Sequence, residues 1–136
     1  KTIGNCLELI HGTRISNVLS ILQKGLVIPP ANASYVCGRL FGNGCYFANK
    51  SSKAVNYSFG YWDNKTKDNN CYAFLADVAL GKSYTPKNTY EKLPKAGYDS
   101  TFAKAGISGV INDEIIVYHT YQCNLTYMME FSPGGK

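Results

Sequence analysis

Three short stretches hold the residues able to do chemistry: "HGTR" at 11–14, "GRLFGNGCYFANKSSKAVNY" at 38–57 and "GVINDEIIVY" at 109–118. The first puts an imidazole, His11, beside Gly12, where the missing Cβ lets a ligand approach the backbone. The second mixes glycines with Tyr46 and Tyr57, whose ring faces attract cations, and with the base Lys53. The third opens a β-branched run with a carboxylate, Glu114. Taken singly, each has an ordinary meaning, since a strand histidine is usually packed and hydrogen-bonded and an edge glutamate is usually solvated. A thiol nucleophile would need Cys45 or Cys123 beside His11 or His119. Cys45 precedes Tyr46 within a strand and so points away from the tyrosine's face, into a core, while His119 and Cys123 read as strand and turn residues.

The elements that position these residues follow from the apolar pattern. "NCLELIHGTR" alternates Leu7, Leu9 and His11 against Cys6, Glu8 and Ile10, which predicts a half-buried strand breaking at Gly12. Ser16 is expected to N-cap a helix with Val18, Leu19 and Leu22 on one apolar side, stopped by Gly25. From Pro29 to Gly44 the chain turns to Pro, Gly, Asn and small residues, as in an ordered but adaptable loop. "CYFA" is a short strand, and Ser51 is expected to cap a second helix over "SKAVNYSF". "CYAFLADVALG" is a long apolar strand, and "KSYTPKNTYEKLPKAGYDSTFAKAGISG" is mostly loop, with at most short strands. "EIIVYHT" and "NLTYMMEF" are two strands joined by a brief turn. With no repeat and no linker, one mixed α+β domain over residues 1–136, richer in strand than helix, is expected.

The chain has 136 residues, enough for a core without staples, and its 45% hydrophobic and 17% charged content is that of a globular protein. A net charge of +5 favours anionic partners, but the lysines are scattered, so most are read as solvated surface. Five cysteines without a C-x-x-C pair suggest neither a disulfide framework nor a zinc knuckle. Reduced thiols, and hence a cytoplasmic location (nuclear as the second choice in a eukaryote), are expected. No apolar run approaches membrane-spanning length, so no membrane partner is expected, and the chain is expected to be a monomer.

The fixed order of "HGTR", "FGNGCYFANKSSKAVNY" and "GVINDEIIVY" resembles the catalytic domain of the poly(ADP-ribose) polymerase family. "ILQKGLVIPP", "DVALGKSY", "LPKAGYDS" and "QCNLTYMMEF" extend the similarity over almost the whole chain. The resemblance implies the ADP-ribosyltransferase split β-sandwich, an α+β fold with a few short helices. It implies NAD as co-substrate without a metal, cleavage of the nicotinamide-ribose bond and transfer of ADP-ribose to an acceptor. That acceptor is expected to be protein, the chain itself or another, with nucleic acid as a second class. Loss of neutral nicotinamide leaves positive charge on the ribose, which a fixed anion in a dry pocket stabilises better than water does.

Residue by residue, Glu114 matches the family's catalytic glutamate, holding the ribose 2′-hydroxyl and stabilising the forming cation. His11 and Tyr46 complete the His-Tyr-Glu triad, with His11 on the adenosine ribose and Tyr46 and Tyr57 stacking on the nicotinamide. Gly12 supplies a backbone N–H and C=O to the carboxamide, and Thr13 a hydroxyl near the ribose or diphosphate. Asn17 and Ser20, one helical turn apart, face the adenosine half; Arg39 meets a phosphate or the adenine, and Lys53 lies beside the ribose and acceptor. Ala54 stands where the family usually places a serine that donates to the carboxamide, a loss of about 0.5–1.5 kcal/mol. Asp113 is expected to point away from Glu114 on a regular strand and to serve as its neutral control. Single transfer, chain extension and NAD hydrolysis are all compatible with this pattern. A catalytically silent NAD or ADP-ribose binder and a nucleic-acid-directed member of the fold are the alternatives, the latter opposed by Glu114.

Overall fold

The structure, a computed structural model, describes residues 4–13, 15–28, 40–49 and 71–131. They form β1 (Cys6–Thr13), α1 (Ile15–Lys24), β2 (Cys45–Phe47), β3 (Cys71–Ala79), β4 (Ser83–Tyr84), β5 (Ser100–Ala103), β6 (Glu114–Val117) and β7 (Cys123–Phe131), with a 3-10 turn at Thr120–Gln122. The expected helix after Ser51 lies outside the described residues, as do Arg39, Lys53, Ala54 and Tyr57.

The strands make two sheets, one of three strands in the order β1-β3-β7 and one of four in the order β2-β6-β5-β4. Among the described strands, only β4 and β5 run parallel. The sheets face each other across one core, in which Leu9, Ala76 and Val78 meet Cys45, Phe47, Ile115 and Val117. Strand alternation explains the sorting: residues 115 and 117 of β6 enter this core, while Ile116 turns to the outer face and packs with Phe41 and Ala103. Both faces of β6 are therefore dry, which is why "EIIV" reads as a continuous apolar run. The architecture is the sheet-dominated α+β fold the sequence implies.

The strands β6 and β7 are indeed joined by a brief turn, but they belong to different sheets, β6 inside one and β7 at the edge of the other. Gln122 holds this corner: its buried amide donates to the carbonyls of Ala79, at 3.1 Å, and of Asp99, at 2.8 Å. The long loop after β3 is fastened, not loose. Lys82 and Asp99 exchange two hydrogen bonds across its base, and the Ser108 hydroxyl donates to the Pro86 carbonyl at 2.6 Å.

Two expectations about α1 need correction. The helix starts at Ile15, so Ser16 lies in its first turn and is not the N-cap. Leu19 and Leu22 are 65% and 57% exposed, and it is Ile21 that packs on the core. The helix rests on the protein along a narrow stripe, and its rotation is set by that contact, not by the count of apolar residues on one side. Gly25 does end it, its N–H donating to the Ile21 carbonyl at 2.8 Å in the left-handed conformation (φ +76°).

Candidate active site

Among the described residues the sheets touch edge to edge at one point. Ile10 and Ala48 exchange backbone hydrogen bonds of 2.9 and 2.8 Å, joining β1 to β2. Because Ile10 spends its N–H and C=O on β2, they point away from β3, and in an antiparallel ladder the residue two positions on points the same way. That residue is Gly12, opposite Ala73 of β3. No described residue pairs with its outward N–H and C=O, so a donor and an acceptor stand together at the mouth of the split between β1 and β2. A primary carboxamide needs this complementary pair.

His11 precedes Gly12 and lies against β2. Its Nδ1 is 2.9 Å from the Tyr46 carbonyl, and its ring meets Phe47 edge-on at 5.7 Å. A carbonyl only accepts, so Nδ1 carries the proton and donates. Burial lowers the histidine's pKa, and the bond to Tyr46 only partly opposes this. The imidazole is therefore neutral at neutral pH, with Nε2 left as an acceptor suited to a sugar hydroxyl.

Tyr46 uses its hydroxyl on the turn before β2, accepting from the Phe41 N–H at 2.9 Å and donating to the Gly42 carbonyl at 2.6 Å. Tyr118 grips the same turn from β6's outer face, donating to the Phe41 carbonyl at 2.7 Å. Its single proton being spent there, the 2.7 Å contact with Thr101 must have the threonine as donor. Burial raises the Tyr118 pKa to about 12, with the Thr101 bond working the other way. Close packing also fixes this turn: a Cβ on Gly42 would stand 2.8 Å from the Leu93 carbonyl oxygen, and one on Gly44 2.5 Å from that of Val117.

Glu114 opens β6 opposite Ala103 and is 5% exposed. By alternation it shares a face with Ile116, whose partner on β2 is Tyr46. Tyr46 and Glu114 are therefore diagonal neighbours on the outer face of one sheet, a relation that sets α-carbons about 7–8 Å apart. The structure thus joins His11 to Tyr46 directly and places Glu114 two positions along the adjacent strand. Thr13 is buried at the end of β1, whereas Asn17 and Ser20 lie on the exposed side of α1.

Asp113 departs from expectation. It lies just before β6, outside the reach of strand alternation, and its carboxylate accepts from Asn49 Nδ2 at 3.1 Å and from the Ala105 N–H at 2.9 Å. Its carboxylate is bound to two other segments of the chain. Sequence reasoning also missed Tyr118 and Thr101, although the spacing 114, 116, 118 carried a usable signal for the tyrosine. The thiols sit apart from the imidazoles' roles: Cys45 is in the core, and Cys123 donates to the Thr120 carbonyl at 3.3 Å and has its pKa lowered by the Cys45 thiol against the effect of burial. The His119 ring stacks on Tyr121 at 4.9 Å. Among the described residues no group of three or more His, Cys, Asp or Glu is placed to hold a metal ion.

Comparison with known proteins gives concordant matches. The family model "Poly(ADP-ribose) polymerase catalytic domain" matches residues 2–108, ending short of Glu114. The chain is 35% identical over 134 residues to a poly [ADP-ribose] polymerase-like protein of Invertebrate iridescent virus 6, covering 91% of this chain and 70% of that one. It is 35% identical over 164 residues to poly [ADP-ribose] polymerase 1 of Gallus gallus, covering 100% of this chain and 16% of that protein. Against protein mono-ADP-ribosyltransferase PARP4 of Homo sapiens it is 30% identical over 143 residues, covering 98% of this chain and 8% of that protein.

Proposed function

The chain belongs to the poly(ADP-ribose) polymerase catalytic-domain family, and on that premise we propose that residues 1–136 act as one NAD-dependent ADP-ribosyltransferase unit. The donor would enter the split between β1 and β2. The observation that carries this reading is Gly12's outward N–H and C=O beside a neutral His11, which fit a carboxamide and a sugar hydroxyl at neighbouring positions. The ring of Tyr46 walls the nicotinamide, a cationic heterocycle whose departure leaves positive charge on the ribose. Glu114 holds its carboxylate on the same sheet face, out of bulk water, where an anion stabilises that charge most. The turn at Phe41 and Gly42, held by Tyr46 and Tyr118, fixes the approach to β2 beside this face.

The acceptor in this reading is a protein side chain, on this chain or another, in a reducing compartment such as the cytoplasm, where Cys6, Cys45 and Cys123 stay thiols. Incubation with NAD releases nicotinamide, and Glu114→Gln slows the release at least tenfold with little change in melting temperature. Unchanged release by Glu114→Gln removes the glutamate from its role. Binding of NAD with no release by the unsubstituted protein, under any acceptor, replaces the enzyme with a silent binder. The mass added to the acceptor, one ADP-ribose unit or a ladder, reads out single transfer or chain extension.

A further inference from the structure

The two oxygens of the Asp113 carboxylate reach in different directions. Oδ2 accepts from Asn49, the residue after Ala48, and Ala48 is the point where β2 joins β1 next to His11. Oδ1 accepts from the N–H of Ala105, two residues beyond Ala103, the strand partner of Glu114. One side chain thus ties the end of β2 and the end of β5 to the residue that leads into Glu114. In the order β2-β6-β5 these segments flank the start of β6, at the end of the second sheet where Glu114 lies.

We infer that Asp113 is a positioning residue for the transfer reaction: it fixes the start of β6, and with it the Glu114 backbone, relative to the β1–β2 corner that carries His11 and Gly12. The inference rests on the reading of Glu114 as the catalytic carboxylate. A carboxylate suits the task because it accepts from two donors at once, and both bonds are strengthened by its charge. Alanine leaves Asn49 and the Ala105 N–H without that partner, and the start of β6 is then free to shift. Displacing a reacting group by about 1 Å costs on the order of a hundredfold in rate. Asparagine keeps one acceptor for Ala105, and its amide can still meet Asn49 once the Asn49 amide turns its oxygen inward.

The experiment measures NAD-dependent nicotinamide release, as kcat and KM separately, together with melting temperature, for the unsubstituted protein, Asp113→Ala, Asp113→Asn and Asn49→Ala. Asp113→Ala lowers kcat by about tenfold or more with KM for NAD within about threefold, Asp113→Asn recovers most of the loss, and Asn49→Ala falls between. A kcat for Asp113→Ala within twofold of the unsubstituted protein overturns the inference. So does a loss in Asp113→Asn equal to that in Asp113→Ala and tracking the folded fraction, because a general loss of structure then explains both. Should Asp113→Ala fail to fold, Asn49→Ala decides: an unchanged kcat overturns the inference and a reduced one at unchanged KM upholds it. Absence of release by the unsubstituted protein is a different result, which removes the functional reading and this inference with it.

Discussion

The inner and outer faces of the second sheet are built from the same strands, yet they differ in kind: the inner side chains are buried, while Tyr46 and Tyr118 on the outer face are half-buried. Inward, Cys45, Phe47, Ile115 and Val117 meet the other sheet with side chains that ask for little beyond contact. Outward, Tyr46, Thr101, Glu114 and Tyr118 carry polar groups into a buried setting, and three of them are held by a chain of hydroxyl and backbone hydrogen bonds through Phe41. Buried polar groups are tolerated where each is satisfied, and satisfaction fixes their geometry more tightly than apolar packing does. One face therefore supplies stability, and the other holds polar groups in fixed positions.

Substitutions on the two faces break this comparison in different ways. The largest expected change in stability is inward: Ile115→Ala costs about 2–5 kcal/mol by denaturant unfolding, while its turnover per folded molecule stays near that of the unsubstituted protein. Glu114→Gln does the reverse, losing turnover at nearly unchanged stability. If Ile115→Ala loses turnover as steeply as Glu114→Gln while still folded, the faces are not separable.

A smaller effect is expected at Tyr118→Phe, which leaves the Phe41 carbonyl and the Thr101 hydroxyl without their partner and costs about 1–3 kcal/mol. This variant also sharpens the comparison with pH. The folded tyrosine keeps its proton to about 12 while the unfolded one loses it near 10, so this residue's contribution to stability falls as pH rises between those values. Tyr118→Phe should show a shallower alkaline decline in urea unfolding, and an identical decline refutes the assignment.

A further effect, on the acid side, is expected at the seam between the sheets. Burial lowers the His11 pKa below its ordinary 6.5, so as pH falls through 6.5 the unfolded chain takes up a proton that the folded one refuses. Stability therefore declines with acidification from 6.5 down to the folded pKa and levels off below it. His11→Gln should remove this part of the decline, measured as the difference in melting temperature between variant and parent across that range.

Much of this was legible from order and period alone. Alternation sorted Cys45 from Tyr46, "CYFA" marked a short strand after the glycine-rich loop, and Gly25 marked the helix end. These are local consequences of backbone geometry, fixed by which residues are adjacent in sequence. The sequence alone did not reveal that β6 and β7 part into different sheets, that α1 turns Ile21 and not Leu19 inward, or that Asp113 reaches Asn49 across 64 positions of chain. Those outcomes depend on which distant surfaces bury one another best, a competition settled only when the two sheets close and every buried donor and acceptor finds its partner.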